Sequence, residues 1–524
     1  MRNLILKSMA AGGVLAMALA VFADRRVRRS AAPDRTPQSD AFEEIDAHIE
    51  RQMERLNIPG AALAIVEGDE IAHLRGFGRA SPGGEEPTLQ TPFVIGSLTK
   101  SFTALAVMQL VEDGKVQLDA PIRRYLPWFR VADPLASARI TVRHLLNQTS
   151  GLPQLSGLRP LTDFDDSPGA TERQARALST LELARPVGSA WEYCNMNYNL
   201  LGLIIEAASG EPYEAYVQNH IFTPLQMTHT YTSQAEAKQN GMAVGHRYWF
   251  ALPFAVPKMP IPRGSLPGGE LISSSEDMAR YLIAHLNEGR YGDARILSAA
   301  GIDELHRPAV EATMTGIPFG HYGMGWIIAD IDRTKIVWHS GTCPDFFAYM
   351  AILPEQKKGV VLLVNANHLM MDKTAFTELG EGVAKMLAGE RSIPNRFGAV
   401  PWVLRALPLI PVLQIVGVAA TLRRLLRWHR DPGSHPLGGR RWGRYVLLPL
   451  IPDLLVSLPL LVMLWTDTLE VPLLGMLGSG FLKVMLLFMP DVSWIALVCG
   501  GFALVWMALR TGLVLWMLRK PSLS

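Results

Sequence analysis

The chain is poor in cysteine, with three in 524 residues. Cys194 and Cys343 stand alone and Cys499 lies in an apolar run, so neither a disulfide framework nor paired C-x-x-C metal sites can be built. H-E-x-x-H is absent, and no metal or other cofactor is expected. There is no Walker motif, dinucleotide fingerprint, internal repeat or low-complexity tract. Neither sign of charge dominates, since 50 Lys and Arg against 48 Asp and Glu leave a net charge of +2. That balance gives no reason to expect a nucleic-acid partner.

What is plentiful is apolar sequence. The hydrophobic fraction of 49% is high for a soluble enzyme, and the excess sits at the two ends. Met9–Ala23 is an apolar run of 15 residues behind Arg2 and Lys7, which reads as a signal peptide or retained anchor over 1–23. The basic stretch Asp24-Arg-Arg-Val-Arg-Arg29 follows it and disfavours translocation, so cleavage and retention both stay open. Residues 24–39 read as a linker, and 386–398 as another. Beyond them, 399–421, 445–465 and 493–517 are each long enough to cross about 30 Å of hydrocarbon. Val471–Pro490, interrupted by glycines and Lys483, reads as interfacial or re-entrant. Asp453 receives no role, and Arg405 and Arg510 are expected to snorkel. Seven arginines between Arg423 and Arg444 contrast with the acidic connection that carries Asp467, Glu470 and Asp491. The positive-inside rule puts the arginine loop and the tail 519–524 in the cytoplasm and residues 40–385 outside.

Within 40–385, Asp40 and Glu43 form a capping box before a stripe of Phe42, Ile45, Ile49, Met53 and Leu56 that Pro59-Gly60 ends. Ala62–Val66 and Ile71–Phe77 read as a hairpin, and Gly323–Ala329, Lys335–Trp338, Phe346–Leu353 and Gly359–Val364 as further strands. Strands at both ends around a helical middle predict an α/β architecture. It is an antiparallel sheet flanked by helices plus a helical subdomain, followed by the transmembrane region.

Three short motifs carry the chemistry. Ser97-Leu-Thr-Lys100 opens a helix in which Leu98, Phe102, Leu105, Met108 and Val111 recur at helical spacing. Residues three apart share a face, so Lys100 reaches the Ser97 hydroxyl as a local base. An ordinary lysine, with a pKa of about 10.4, is protonated at neutral pH, so this role demands an enclosed site. Tyr193 supplies a second hydroxyl for proton relay, and Asn195 an amide for a substrate carbonyl. The Ser97 N–H lies at a positive helix end, and the Thr342 N–H, after His339-Ser-Gly341, completes an oxyanion hole if that strand lies alongside.

These motifs, with Phe93-Val-Ile-Gly-Ser-Leu-Thr-Lys-Ser-Phe102, Thr141-Val-Arg-His-Leu-Leu-Asn-Gln-Thr-Ser-Gly151, Trp191-Glu-Tyr-Cys-Asn-Met-Asn-Tyr-Asn-Leu-Leu-Gly202 and Gly269-Glu-Leu-Ile-Ser-Ser-Ser-Glu-Asp277, resemble the class C β-lactamase and penicillin-binding-protein-like serine hydrolases. The resemblance implies a mechanism in which Ser97 is acylated, Lys100 and Tyr193 move protons, and the Ser97 and Thr342 amides hold the oxyanion. It leaves peptidase, esterase, D,D-carboxypeptidase and β-lactamase activities open, together with a penicillin-binding sensor that acylates without turnover. An exported catalytic domain before membrane helices resembles the membrane-bound prodrug-activating peptidases, which favours amide cleavage, with D-amino-acid substrates among those implied. The expected partners are a small-molecule or peptide substrate and the lipid bilayer of a bacterial cell envelope. Where true β-lactamases of this type carry lysine in the third motif, this chain has His339, and Asp345 follows. Asp345 is therefore expected to repel substrates with a free carboxylate, by about 1–4 kcal/mol at about 4 Å. Cys194 and Cys343, inside the second and third motifs, are expected to be packing thiols.

Overall fold

In a computed structural model of the protein the described residues are 37–314, 317–331, 333–372, 376–390, 399–430, 448–468 and 481–519. The export run, most of the first linker, the arginines at 440, 441 and 444, the segment 471–480 and the last five residues lie outside them. Contacts divide the chain into residues 1–44 and 45–524, and the sheet, the helical middle and the C-terminal helices all belong to the second unit.

Helix α1 spans Pro37–Leu56. It starts three residues before the expected cap at Asp40, which therefore sits inside the first turn. Ile45, Ile49, Met53 and Leu56 are buried at helical spacing, and Asp46 accepts from Arg75 at 2.7 Å, tying the helix to the sheet. The chain then turns at Pro59 into an eight-stranded antiparallel sheet. Its strands are β1 (Gly60–Glu67), β2 (Glu70–Gly78), β3 (Val310–Met314), β4 (Ile317–Tyr322), β5 (Ile327–Ile331), β6 (Thr334–Thr342), β7 (Phe347–Leu353) and β8 (Lys358–Val364), in the order β2-β1-β8-β7-β6-β5-β4-β3. The central strands are apolar at successive positions because both faces are covered. Ala348, Met350 and Ile352 of β7 join the main core, while the ring of the intervening Tyr349 lies against Gly380.

Opposite that face lies the helical middle. Thr99–Glu112 forms α2, Asn195–Ser209 forms α3 and Ser275–Leu286 forms α4, which packs on β1 and β8. Helix α2 is buried on all sides from Thr99 to Met108, so it is the central pillar of the core and not an amphipathic surface helix. Thr377–Leu387 forms α5 on the other face, against β7 and β8.

The C-terminal region begins with an apolar helical stretch whose longest part is α6 (Leu409–Arg430), then α7 (Leu448–Thr468), α8 (Phe481–Phe488) and α9 (Pro490–Arg519). Two stretches, Val400–Arg427 and Pro490–Trp516, are long and apolar enough to cross a membrane. The apolar part of α7 among the described residues, Leu450–Leu461, is shorter. Arg510 does not snorkel as expected. It is 2% exposed and donates to Asp453 at 2.7 Å, pairing α9 with α7. The eight residues of α8 extend only about 12 Å at 1.5 Å per residue. Val484 and Phe488 of α8, with Met489 just after it, cluster with Leu158, Leu161, Leu369 and Met370 of the sheet domain.

Candidate active site

The first motif is placed by a sharp backbone approach. Gly96, with φ of +55°, opens the turn Gly96–Leu98 that leads into α2. A Cβ on Gly96 would lie 2.6 Å from the Thr342 nitrogen, and one on Gly341 would lie 2.0 Å from the Ile95 carbonyl oxygen. Two glycines thus let the turn before Ser97 lie directly against the end of β6.

Lys100, the second residue of α2, is fully buried. Its Nζ lies 2.9 Å from Ser97 Oγ, 2.8 Å from Asn195 Oδ1 and 2.5 Å from the Gly268 carbonyl oxygen. Asn195 Oδ1 and the Gly268 oxygen can only accept, so a neutral amine directs both N–H groups to them and its lone pair to the Ser97 hydroxyl. The arrangement is that of a base held against a nucleophile. From the other side the Tyr193 hydroxyl donates to Ser97 Oγ at 2.7 Å. Burial, and then Tyr322 beside it, push the Tyr193 phenol well above its ordinary range, so it holds its proton and serves as a donor.

Asn195 opens α3, and its carboxamide oxygen is committed to Lys100, which leaves the NH2 group to meet a substrate. The second motif is braced by Gln148, a residue the sequence reading passes over. Its Oε1 accepts from the Cys194 N–H at 2.9 Å and from Asn197 Nδ2 at 2.5 Å.

The third motif lies on β6, which pairs with β5 only as far as Trp338 and with β7 through Thr342. The Cys343 N–H donates to the Phe346 carbonyl at 2.9 Å. Hydrogen-bonded and non-bonded pairs alternate in an antiparallel ladder, so Thr342, opposite Phe347, directs its N–H away from β7. It points across the open edge toward Gly96 and Ser97. The Ser97 N–H is in the first turn of its helix, where no intrahelical carbonyl is in reach.

His339 is 3% exposed; its Nδ1 lies 2.6 Å from the Ser340 carbonyl, which fixes the proton on that nitrogen. The ring is 6.3 Å from that of Tyr193 and 6.0 Å from that of Tyr322. Trp191, Phe319 and Trp338 continue this aromatic wall, Phe319 lying 5.8 Å from Trp191 and 6.5 Å from Trp338.

Asp345 departs from the expected arrangement. It is 2% exposed and accepts from Arg247 Nε at 2.9 Å. Burial raises the Asp345 carboxyl and Arg247 opposes the rise. The pair carries no net charge when both are ionised, so the repulsion expected of a lone carboxylate is offset by Arg247. Asp345 does line a pocket with Val94, Leu161, Met259, Glu270 and Cys343. Glu270 of that lining, to which the sequence assigns no role, has its carboxyl pushed up to about 8 by burial against the opposing pull of Lys100. Asp372 lies outside that lining, and its Oδ2 accepts from Thr342 Oγ1 at 2.5 Å.

Both thiols in the motifs are buried. Burial raises Cys194 to about 11 and lifts Cys343 well above the ordinary thiol range, so neither is a thiolate nucleophile. Among the described residues no three His, Cys, Asp or Glu gather closely enough to hold a metal ion.

Residues 45–384 match the family model described as Beta-lactamase. The chain belongs to the beta-lactamase family. It is 30% identical over 343 residues to "Penicillin-binding protein 4" of Amycolatopsis lactamdurans, covering 64% of this chain and 87% of that protein. It is 29% identical over 341 residues to "Protein flp" of Staphylococcus aureus strain MW2, covering 63% of this chain; the match spans 64% of that relative's length. Among solved structures, the octameric penicillin-binding protein homologue from Pyrococcus abyssi superposes with a TM-score of 0.60 at 28% identity. That match covers 70% of this chain and 81% of the other. The beta-lactamase fold and the penicillin-binding-protein likeness read from the three motifs are thereby established.

Proposed function

We propose that this member of the beta-lactamase family is a membrane-tethered, extracytoplasmic serine hydrolase that cleaves an amide bond through an acyl-Ser97 intermediate. The observation that carries this reading is the pair of contacts on Ser97 Oγ, at 2.9 Å from Lys100 Nζ and 2.7 Å from the Tyr193 hydroxyl. Lys100 takes the Ser97 proton as Oγ attacks the substrate carbonyl. The negative charge that develops on the carbonyl oxygen is met by the Ser97 and Thr342 N–H groups. Tyr193 passes a proton to the leaving nitrogen as the C–N bond breaks, and the proton taken up by Lys100 passes on to Tyr193, so both groups end neutral. Water then attacks the ester of Ser97, giving one proton back to Oγ and releasing the acid. His339 and the carboxamide of Asn195 bind the substrate beside this centre, with Gly341 keeping the strand close.

The penicillin-binding names of two relatives support an amide-like substrate, and the wall of Trp191, Phe319 and Trp338 supports an apolar group beside the scissile bond. The two apolar C-terminal stretches support tethering. Purified full-length protein in detergent should turn over acyl-D-amino-acid amides repeatedly and faster than matched esters. Preference for the esters would make it an esterase, and one stoichiometric burst followed by a stall would make it a penicillin-binding sensor.

A further inference from the structure

The last helix reaches back to the sheet domain through one buried carboxylate. Asp491, the second residue of α9, has no exposed surface. Its Oδ1 lies 2.9 Å from Nε2 of His368, which is also fully buried, and its Oδ2 accepts from the Phe250 N–H at 2.7 Å. A carboxylate near a helix N-terminus ordinarily serves the N–H groups of its own first turn. Here both oxygens also engage a neighbouring domain, one through a side chain and one through a loop backbone. The contact is therefore a joint, not only a cap.

His368 starts the short turn that holds the end of β6. The Asp372 N–H donates to the His368 carbonyl at 2.9 Å, and Asp372 Oδ2 receives the Thr342 hydroxyl. On the other side the His368 N–H donates to Asn367 Oδ1, and Asn367 Nδ2 donates to the Cys343 carbonyl, both at 2.7 Å. Residues 342 and 343 are thus each gripped by the segment 367–372. Leu369 and Met370 of that segment pack on α8, so the segment also rests on the C-terminal region.

We propose that Asp491 is a positioning residue for the Thr342 N–H, acting through His368 and Asp372, so that the C-terminal helix is a working part of the oxyanion hole. This rests on the acyl-Ser97 reading above. An oxyanion donor acts only if it stands where charge develops, and displacement by about 1 Å can cost about a hundredfold in rate. Loosening the joint should therefore slow the step that builds the oxyanion and leave ground-state binding nearly unchanged.

The test uses the full-length protein in detergent with a serine-reactive fluorophosphonate, whose attack by Ser97 builds negative charge on the phosphoryl oxygen. Asp491→Ala and His368→Gln should each lower the maximal labelling rate by about ten- to a hundredfold, with half-saturation within about threefold of wild type. The double variant should be no worse than either single one, because the two residues act in series. Asp491→Asn, which keeps an oxygen for the Phe250 N–H, should recover most of the loss. Wild-type labelling rates in folded His368→Gln, or losses that multiply in the double variant, would overturn the proposal; should Asp491→Ala not fold, His368→Gln decides. The underlying reading is tested separately, by whether wild type labels and Ser97→Ala does not.

Discussion

Replacing Gly96 by alanine isolates the approach that places the nucleophile against the oxyanion strand. The added Cβ would lie 2.6 Å from the Thr342 nitrogen and 2.8 Å from the Gly341 carbonyl carbon, where ordinary contact begins at 3.4 Å. Both neighbours are backbone, so either the turn or β6 must yield by about 0.8 Å. The φ of +55° adds a conformational penalty of about 1–2 kcal/mol for any L side chain. Gly68→Ala is the matched control, because that glycine has φ of +64° and nothing within 4 Å of its would-be Cβ. Gly68→Ala should lose about 1–2 kcal/mol of stability, read as a shift in the denaturation midpoint, and Gly96→Ala more than that because its clash adds to the same φ penalty. Only Gly96→Ala should also lose about a hundredfold in Ser97 labelling rate, the cost of misplacing reacting groups by about 1 Å. Labelling within about threefold of the Gly68→Ala control would show that the close approach does not set the oxyanion geometry.

Three further outcomes follow from the same geometry. Lys100→Ala and Tyr193→Phe should each slow hydrolysis by at least about a hundredfold, the low end for acid–base groups, and near-normal kcat in either would remove that residue from the proton path. Glu270 has its carboxyl raised from an ordinary 4.5 to about 8, so between those values the folded state keeps a proton that the unfolded chain releases, and stability falls as pH rises through the window. Glu270→Gln should therefore melt higher than wild type at pH 9 and converge with it near pH 4; parallel curves would place Glu270 in a wetter setting than the structure gives it. A cysteine at Glu355 should react with membrane-impermeant thiol reagents in intact cells and one at Arg430 should not, and the reverse pattern would put the catalytic centre in the cytoplasm.

The parts of the site legible in the sequence are those that depend on local spacing. Ser97 and Lys100 share a helix turn, and the third motif ends a strand followed by short apolar runs distinct enough to be read as strands. Strands β3 and β4 escape that reading because Ile317-Pro-Phe-Gly-His-Tyr322 carries Pro318 and Gly320, ordinarily turn signals, and the pairing shifts register between them. Strand β3 is the sheet edge, and β4 pairs with β5 only at His321 and Tyr322, so Pro318 and Gly320 lie on a stretch paired on one side, where such residues are tolerated. Asp345 shows the other limit. Its charge is legible, but its partner Arg247 stands 98 residues away, and only the folded chain reveals that the pair is neutral overall. Gln148 and Glu270 fall within family-like segments and Asp372 in none, but none of the three has a role legible there, since each gains it from a contact made across the fold. The same holds for Arg510, whose partner Asp453 is 57 residues distant on another helix.

The most direct test of the central claim is intact-protein mass spectrometry of the full-length chain, quenched in acid during turnover of an acyl-D-amino-acid amide. A covalent adduct equal in mass to the acyl group should appear on the peptide containing Ser97, decay as product accumulates, and be absent from Ser97→Ala. Turnover by the Ser97→Ala variant, or an adduct mapped to any other residue, would contradict the account.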